Sequence, residues 1–294
     1  MTLLGAMSYG SSEKEKWVLD EEQALPLLKY AYEVGINTWD TADLYSFGRS
    51  EEIIGKALKQ YQIPRNRVVI LTKCYFGVPD TDEGEVSLPE IMTNGGKMVN
   101  RVGLSRKHIL DAVDKSVERL GTYIDVLQIH RLDREAPREE IMKALNDVVE
   151  SGKVRYIGAS SREMIPYCRD AGIGIIPWSP MARGVLARPF SSRSTLREQT
   201  DQFVKMLVRD RESEIDKAII DRVEELAKQK GVSMATIATA WCLAKGVNPI
   251  IGLSSKDRID QAVENVKFAS GNGLTKEDIE SLEANYAPKA IQSV

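Results

Sequence analysis

The sequence predicts an α/β fold of the TIM-type (β/α) barrel, counted at about seven strands where a full barrel has eight. Three observations carry that reading. Apolar stretches of strand length alternate with amphipathic stretches of 10 to 16 residues along the whole chain, which implies parallel strands joined by helical crossovers. The turn after the first strand reads GAMSYG and lacks the GxGxxG spacing of a doubly wound dinucleotide-binding sheet. Polar residues gather at the C-terminal ends of several strands rather than at one crevice, as they do in barrels.

In order, residues 1–7 read as a strand and 20–35 as an amphipathic helix opened by Asp20 and closed by Gly35. Strand 36–42 leads to helix 50–61, with Ser50 as the expected cap. Strand 67–73 is followed by a Gly- and acid-rich excursion, 77–104, and by helix 105–121. Strand 123–130, helix 137–152 and strand 154–159 come next. A short helix, 161–172, and a strand, 173–178, precede a basic loop over 179–212. Helices 213–230 and 233–245, strand 247–253, helix 256–266 and a terminal helix 275–286 complete the chain. One domain over 1–294 is expected, with 77–104 and 179–212 as long loops on its C-terminal rim.

Composition narrows the function classes. The chain is 43% hydrophobic and 28% charged, enough for a sizeable core. A formal net charge of −3, with no long Lys/Arg block, argues against nucleic acid or an anionic membrane as partner. The apolar runs are strand-sized and no signal peptide opens the chain, so no membrane span and a cytoplasmic location are expected. Cys74, Cys168 and Cys242 are odd in number and far apart, as reduced thiols are. With only His108 and His130, no HExxH zinc site exists and no metal is expected.

Asp40 ends the second strand, Lys73 the third and His130 the fourth, with Tyr45 just past Asp40. Singly, each has an ordinary explanation: a helix cap, a solvated lysine, a core histidine. Jointly they form a charge-compensated set that a barrel brings to one rim. A tyrosine of ordinary pKa near 10 is a poor proton donor at neutral pH. A nearby ammonium favours its phenolate and lowers that pKa, and a carboxylate keeps the ammonium charged. Asp40 is thus expected to hold Lys73 protonated, Lys73 to tune Tyr45 as general acid, and His130 to donate a hydrogen bond to the same oxygen.

The segments DTADLY, LTK, IDVLQIHR, IGAS, IIPWSPMARGVLARPF and GLSSKDRIDQA resemble, in order and over nearly the whole chain, the aldo-keto reductases, above all their fungal aryl-alcohol dehydrogenase-like branch. The resemblance implies a barrel that reduces aldehydes or ketones with NADPH and without metal, Tyr45 being the proton donor supported by Asp40, Lys73 and His130. It also implies cofactor contacts. Asp40, Ser160 and Ser161 match positions at the nicotinamide, and Trp178 matches the aromatic stacked on it. Ser179, Pro180, Met181, Arg183 and Gly184 match the pyrophosphate segment, and Ser254, Ser255, Arg258 and Gln261 the adenosine end, where Arg258 would select NADP over NAD. Trp178 as barrel filling and Arg258 as a solvated helix residue are the plain alternatives.

Two departures from the family pattern follow. After IGASS the chain passes directly into REMIPYCRDAG, so one helix and one strand of roughly 30 to 40 residues, including a carboxamide-gripping Gln, are expected to be absent. Met1 falls just before the first strand, leaving no place for the hairpin that plugs the barrel floor in many relatives. The expected function is therefore reduction of an aryl or medium-chain aldehyde or ketone, the alternative being an impaired isoform or a non-catalytic, cofactor-sensing protein of the same fold. Tyr9, Tyr75 and Phe76 are candidate aromatic walls for the substrate, or else loop packing. Substrate identity and oligomeric state are not fixed by the sequence.

Overall fold

A computed structural model describes residues 2–13, 15–80, 86–159, 168, 170–192, 195–201, 204–205, 210, 212–271 and 273–287. Among these, six parallel strands form one sheet in the order β5-β4-β3-β2-β1-β6. The strands are β1 (Leu3–Gly5), β2 (Thr38–Asp40), β3 (Val69–Cys74), β4 (Ile124–Ile129), β5 (Val154–Ala159) and β6 (Ile250–Gly252). Around them lie α1 (Glu21–Glu33), α2 (Arg49–Gln60), α3 (Leu88–Ile91), α4 (Arg106–Leu120) and α5 (Arg138–Glu150). Further along come α6 (Leu196–Thr200), α7 (Glu214–Lys230), α8 (Met234–Ala244), α9 (Lys256–Ser270) and α10 (Lys276–Glu283).

The helices form where apolar residues recur every three or four positions. In α1 the stripe is Ala24, Leu25, Leu28 and Ala31, all buried. In α4 it is Ile109, Val113 and Leu120, between a Ser105 cap that accepts from the His108 N–H and a left-handed Gly121 (φ 66°). These faces meet Leu4, Trp39, Ile70 and Leu127 of the sheet in one core. Gly55 lets α2 lie close against the end of α4, since a Cβ there would sit 2.6 Å from the Leu120 carbonyl oxygen. A second core joins Ile220, Val223 and Leu226 of α7 to Ile237 of α8, Leu282 of α10 and Val185.

Two expectations are corrected. Ser50 does not cap α2: Gly48 does, in the left-handed region (φ 89°), while the buried Ser50 hydroxyl donates to the Ala6 carbonyl 2.9 Å away. Six strands are seen rather than seven, because 173–178 is not a strand. It accepts only two strand-like bonds, Asn248 N–H to Ile175 O (2.9 Å) and Ile250 N–H to Pro177 O (3.1 Å), and Pro177 has no N–H to extend the ladder. Among the described residues, α3 lies inside 77–104 and α6 inside 179–212. The expected 161–172 helix lies mostly outside the described residues.

Among the described residues the sheet is not closed into a ring. Among the described residues β5 pairs with β4 alone, and Tyr156 (71%) and Ile157 (40%) stand exposed on it. Barrel strands are ordinarily paired on both edges.

Candidate active site

The carboxyl ends of β2, β3 and β4 bring the four strand-end residues together. Lys73 lies opposite Gln128 across β3 and β4, and Asp40 opposite Leu71 across β2 and β3. The Lys73 ammonium donates to Asp40 Oδ2 at 2.7 Å, to the Thr41 carbonyl at 2.7 Å and to the Tyr45 hydroxyl at 3.3 Å. Both members of the ion pair are buried. Such a pair is sustained only where the remaining lone pairs and protons also find partners. Here they do: Gln128 Nε2 donates to Asp40 Oδ1 at 3.0 Å.

The electrostatics follow from this packing. Lys73 is held above its ordinary pKa: burial disfavours its charge, but Asp40 and Tyr45 outweigh burial. Tyr45 departs from the expectation. Burial raises its pKa above the usual phenol value, and Lys73, the strongest opposing influence, offsets only part of this. A phenol without water or substrate around it loses more from desolvation than one ammonium returns. His130 is driven down to about 2 by burial, then by the Lys73 and Arg131 charges, and so stays neutral. Its ring meets Tyr45 edge-on at 6.0 Å and Phe76 at 5.1 Å, and its Nδ1 is buried with no hydrogen-bond partner among the described residues. Phe76 in turn meets Tyr75 at 5.1 Å. Tyr9, the third candidate wall, is instead buried and bonds the Leu253 carbonyl at 2.6 Å.

Behind the tetrad lies a buried polar layer that the sequence did not disclose. Glu51 accepts from Thr72 Oγ1 (2.6 Å) and Arg119 Nε (2.7 Å). Asp43, buried, finds no side-chain partner for either carboxyl oxygen among the described residues. Burial, then Glu51, push its pKa well above the carboxylate range, with Arg119 opposing. Asp43 sits on the loop between Asp40 and Tyr45 and is tied to β3 by its own N–H, 3.1 Å from the Lys73 carbonyl. Gln128 was missed because a single polar residue inside IDVLQIH reads as strand filler. The signal available was its spacing, two residues before His130 and so on the same side of the strand.

The segment expected to meet a cofactor is strained and basic. Ser179 (φ 50°), Ala182 (46°) and Arg183 (57°) occupy the left-handed region beside Gly184 (99°). Non-glycine residues held there cost of order 1–3 kcal/mol each and cluster at ligand clamps. Met181 packs against the main core, and Trp178 is 41% exposed with the Arg183 guanidinium 5.2 Å from its ring. Buried Asp201 accepts from Arg183 (3.4 Å) and Arg197 (3.0 Å). Ser255 caps α9, and Arg258 reaches Ser254 Oγ at 3.1 Å. The Arg258 pKa is lowered by burial and then by Arg188 and Arg197. Guanidiniums crowded in this way are relieved by a bound anion, so the residues fit a phosphate-bearing dinucleotide. Gln261 does not join them; its amide is committed to Ser233 Oγ at 2.6 Å. Ser160 and Ser161 lie outside the described residues. No group of three or more potential metal ligands occurs among the described residues.

Comparison with known proteins agrees with this geometry. The model of the "Aldo/keto reductase family" matches residues 3–163 and 159–287. The versiconal hemiacetal acetate reductase of Aspergillus parasiticus is 60% identical, the alignment covering 98% of this chain and 94% of that protein. A Schizosaccharomyces pombe protein, provisionally named an aryl-alcohol dehydrogenase, is 46% identical over 99% of this chain and 93% of its own. Among solved structures, the holo form of aldo-keto reductase AKR11C1 from Bacillus halodurans superposes with a TM-score of 0.70 at 24% identity, covering 99% of this chain and 93% of that one. That likeness shows the fold. The Aspergillus alignment runs over 326 positions although this chain has 294 residues, so at least 32 positions of the relative have no counterpart here. The two stretches matched by the family model meet at 159–163, at the end of β5.

Proposed function

The chain belongs to the aldo/keto reductase family, an oxidoreductase similar to the aryl-alcohol dehydrogenases, and from that premise we propose that it reduces an aldehyde or ketone with NADPH, Tyr45 giving the proton. The observation that carries this reading is the single Lys73 ammonium bonded to both Asp40 and the Tyr45 hydroxyl. Bound NADPH would supply the hydride. The chain supplies the rest. Trp178 offers a flat face to the nicotinamide, and the Arg183 and Arg258 guanidiniums take the phosphate charges. Tyr45 donates its proton to the carbonyl oxygen, a transfer that generally contributes 10²–10⁴ in rate. Lys73 stabilises the phenolate left behind, and Asp40 holds Lys73 charged. Neutral His130, whose ring meets Tyr45 edge-on, donates a hydrogen bond to the same oxygen. The paired rings of Tyr75 and Phe76 support an aryl or medium-chain substrate. A relative named for a hemiacetal supports an aldehyde that is masked in that form.

Turnover of an aromatic aldehyde with NADPH tests the reading. Tyr45→Phe should abolish reduction while NADPH still quenches Trp178 fluorescence. Full turnover in that variant removes Tyr45 from its role.

One observation favours a second reading, a chain that senses the cofactor without turning over. The family match breaks at 159–163, where the expected nicotinamide contacts stand. Quenching by NADPH without reduction of any aldehyde by the wild-type chain would establish it.

A further inference from the structure

We infer that Gln128 is a positioning residue for the proton donor, acting through Asp40, and that Gly158 on the open edge strand holds Gln128 in place. The inference rests on the carbonyl-reductase reading above. Asp40 has two oxygens and Lys73 occupies one, at 2.7 Å. Held there alone, the carboxylate is free to turn about its last torsion and carry the ammonium with it. The Gln128 amide occupies the other oxygen at 3.0 Å, from a side chain only 6% exposed, and so fixes the carboxylate plane. A donor to a buried charge is among the stronger hydrogen bonds. An amide suits the place because it satisfies the carboxylate without adding a charge that competes for Lys73.

Gln128 in turn has a narrow seat. It lies beside Lys73 on one side and opposite Gly158 on the other. A Cβ at residue 158 would stand 3.1 Å from Gln128 Cγ, a contact that asks the Gln128 side chain to shift by a few tenths of an ångström. A line of contact therefore runs from the edge of the sheet through Gln128 and Asp40 to Lys73 and Tyr45.

The test uses Gln128→Met, which keeps an unbranched side chain of similar length, and Gln128→Leu, both without the amide donor, with Gly158→Ala and the Asp40→Asn background. For the full chain with NADPH and an aromatic aldehyde, both Gln128 variants should lower kcat by roughly 10- to 100-fold, the loss a hydrogen bond to a charged group carries. KM for either substrate should hold, and Gly158→Ala should show a smaller loss of the same kind. A fall in affinity with kcat intact overturns the inference. The second readout needs no activity: Gln128→Leu should lower Tm in the wild-type background and distinctly less in Asp40→Asn. Equal losses in both backgrounds overturn the inference whatever the activity, whereas an inactive wild-type chain with coupled Tm values speaks only against the reductase reading.

Discussion

The Lys73 ammonium stands 3.3 Å from the Tyr45 hydroxyl while bonded at 2.7 Å to Asp40, so one buried cation serves a phenol and a carboxylate together. Removing it has two separable consequences. Lys73→Met should cut turnover by at least about 100-fold, since Tyr45 becomes a weaker acid. It should also cost about 3–5 kcal/mol of stability, because Asp40 stays buried without its cation. Asp40→Asn combined with Lys73→Met should recover much of the stability and none of the activity. Urea unfolding beside steady-state kinetics checks both halves.

Histidine ionisation should make the fold acid-sensitive in a defined direction. Burial brings His108 down to about 4 and His130 to about 2. A histidine whose folded-state pKa is depressed stays neutral in the native chain while the unfolded chain takes up a proton below about 6.5. Stability should therefore fall as pH drops below that value, by about 1.4 kcal/mol per pH unit for each histidine well below it. His130→Gln should flatten the slope between pH 7 and pH 5 relative to wild type. Chemical denaturation at the two pH values decides it, and parallel slopes would refute the assignment.

Asp43 predicts the opposite sign. Its folded-state pKa is raised well above the carboxylate range, so the unfolded chain ionises first and stability drains away as pH rises above about 4. Asp43→Asn should consequently raise Tm at pH 7 to 8 and make little difference near pH 4. A variant that is destabilised equally at both values would mean that the carboxyl matters for its shape rather than its charge.

How much of this was legible in the sequence depended on where each residue sits. Asp40, Tyr45, Lys73 and His130 stand at or just beyond strand ends, where a polar residue interrupts an apolar run and so stands out; the structure brings all four to one place. Gln128, bonded to Asp40, and the buried Asp43 lie within a strand and a loop, where sequence offers no contrast. Ser50 was misread because serine after a loop is the common cap, whereas here a left-handed glycine two residues earlier starts the helix and frees the serine to bond across to Ala6. That positions of a relative lack a counterpart here was legible as a short interval between IGAS and IIPW. The failure of 173–178 to form a strand was not, because a strand depends on neighbours that a single segment does not reveal.

Arg258 should govern the choice between cofactors. Exposed on the first turn of α9, it donates to Ser254 Oγ at 3.1 Å. Arg258→Ala should raise KM for NADPH by roughly 10- to 100-fold, the loss expected when a charge-assisted pair to a phosphate is removed, and leave NADH nearly untouched. Equal losses for both cofactors would place Arg258 outside the adenosine end.

The open edge of β5 predicts what a longer chain would do. Barrel closure links strand number, tilt and stagger, so a missing strand leaves neighbours that no small adjustment can join. Among the described residues β5 has no second strand partner, Tyr156 and Ile157 stand exposed on it, and unpaired strand edges recruit other chains. Ile157→Lys, which places a charge on that edge, should lower self-association, seen as a smaller light-scattering mass at equal concentration. Inserting after Ser161, near the seam of the two matched stretches, the residues of the Aspergillus relative that have no counterpart here should act more strongly if they add a strand to that edge. Tm should rise by several degrees, as burial of an edge strand's apolar surface requires, and NADPH should bind tighter because the nicotinamide contacts expected near 160–161 regain their neighbours. A graft that folds yet changes neither Tm nor NADPH affinity would show that the chain already satisfies its edge by some other means.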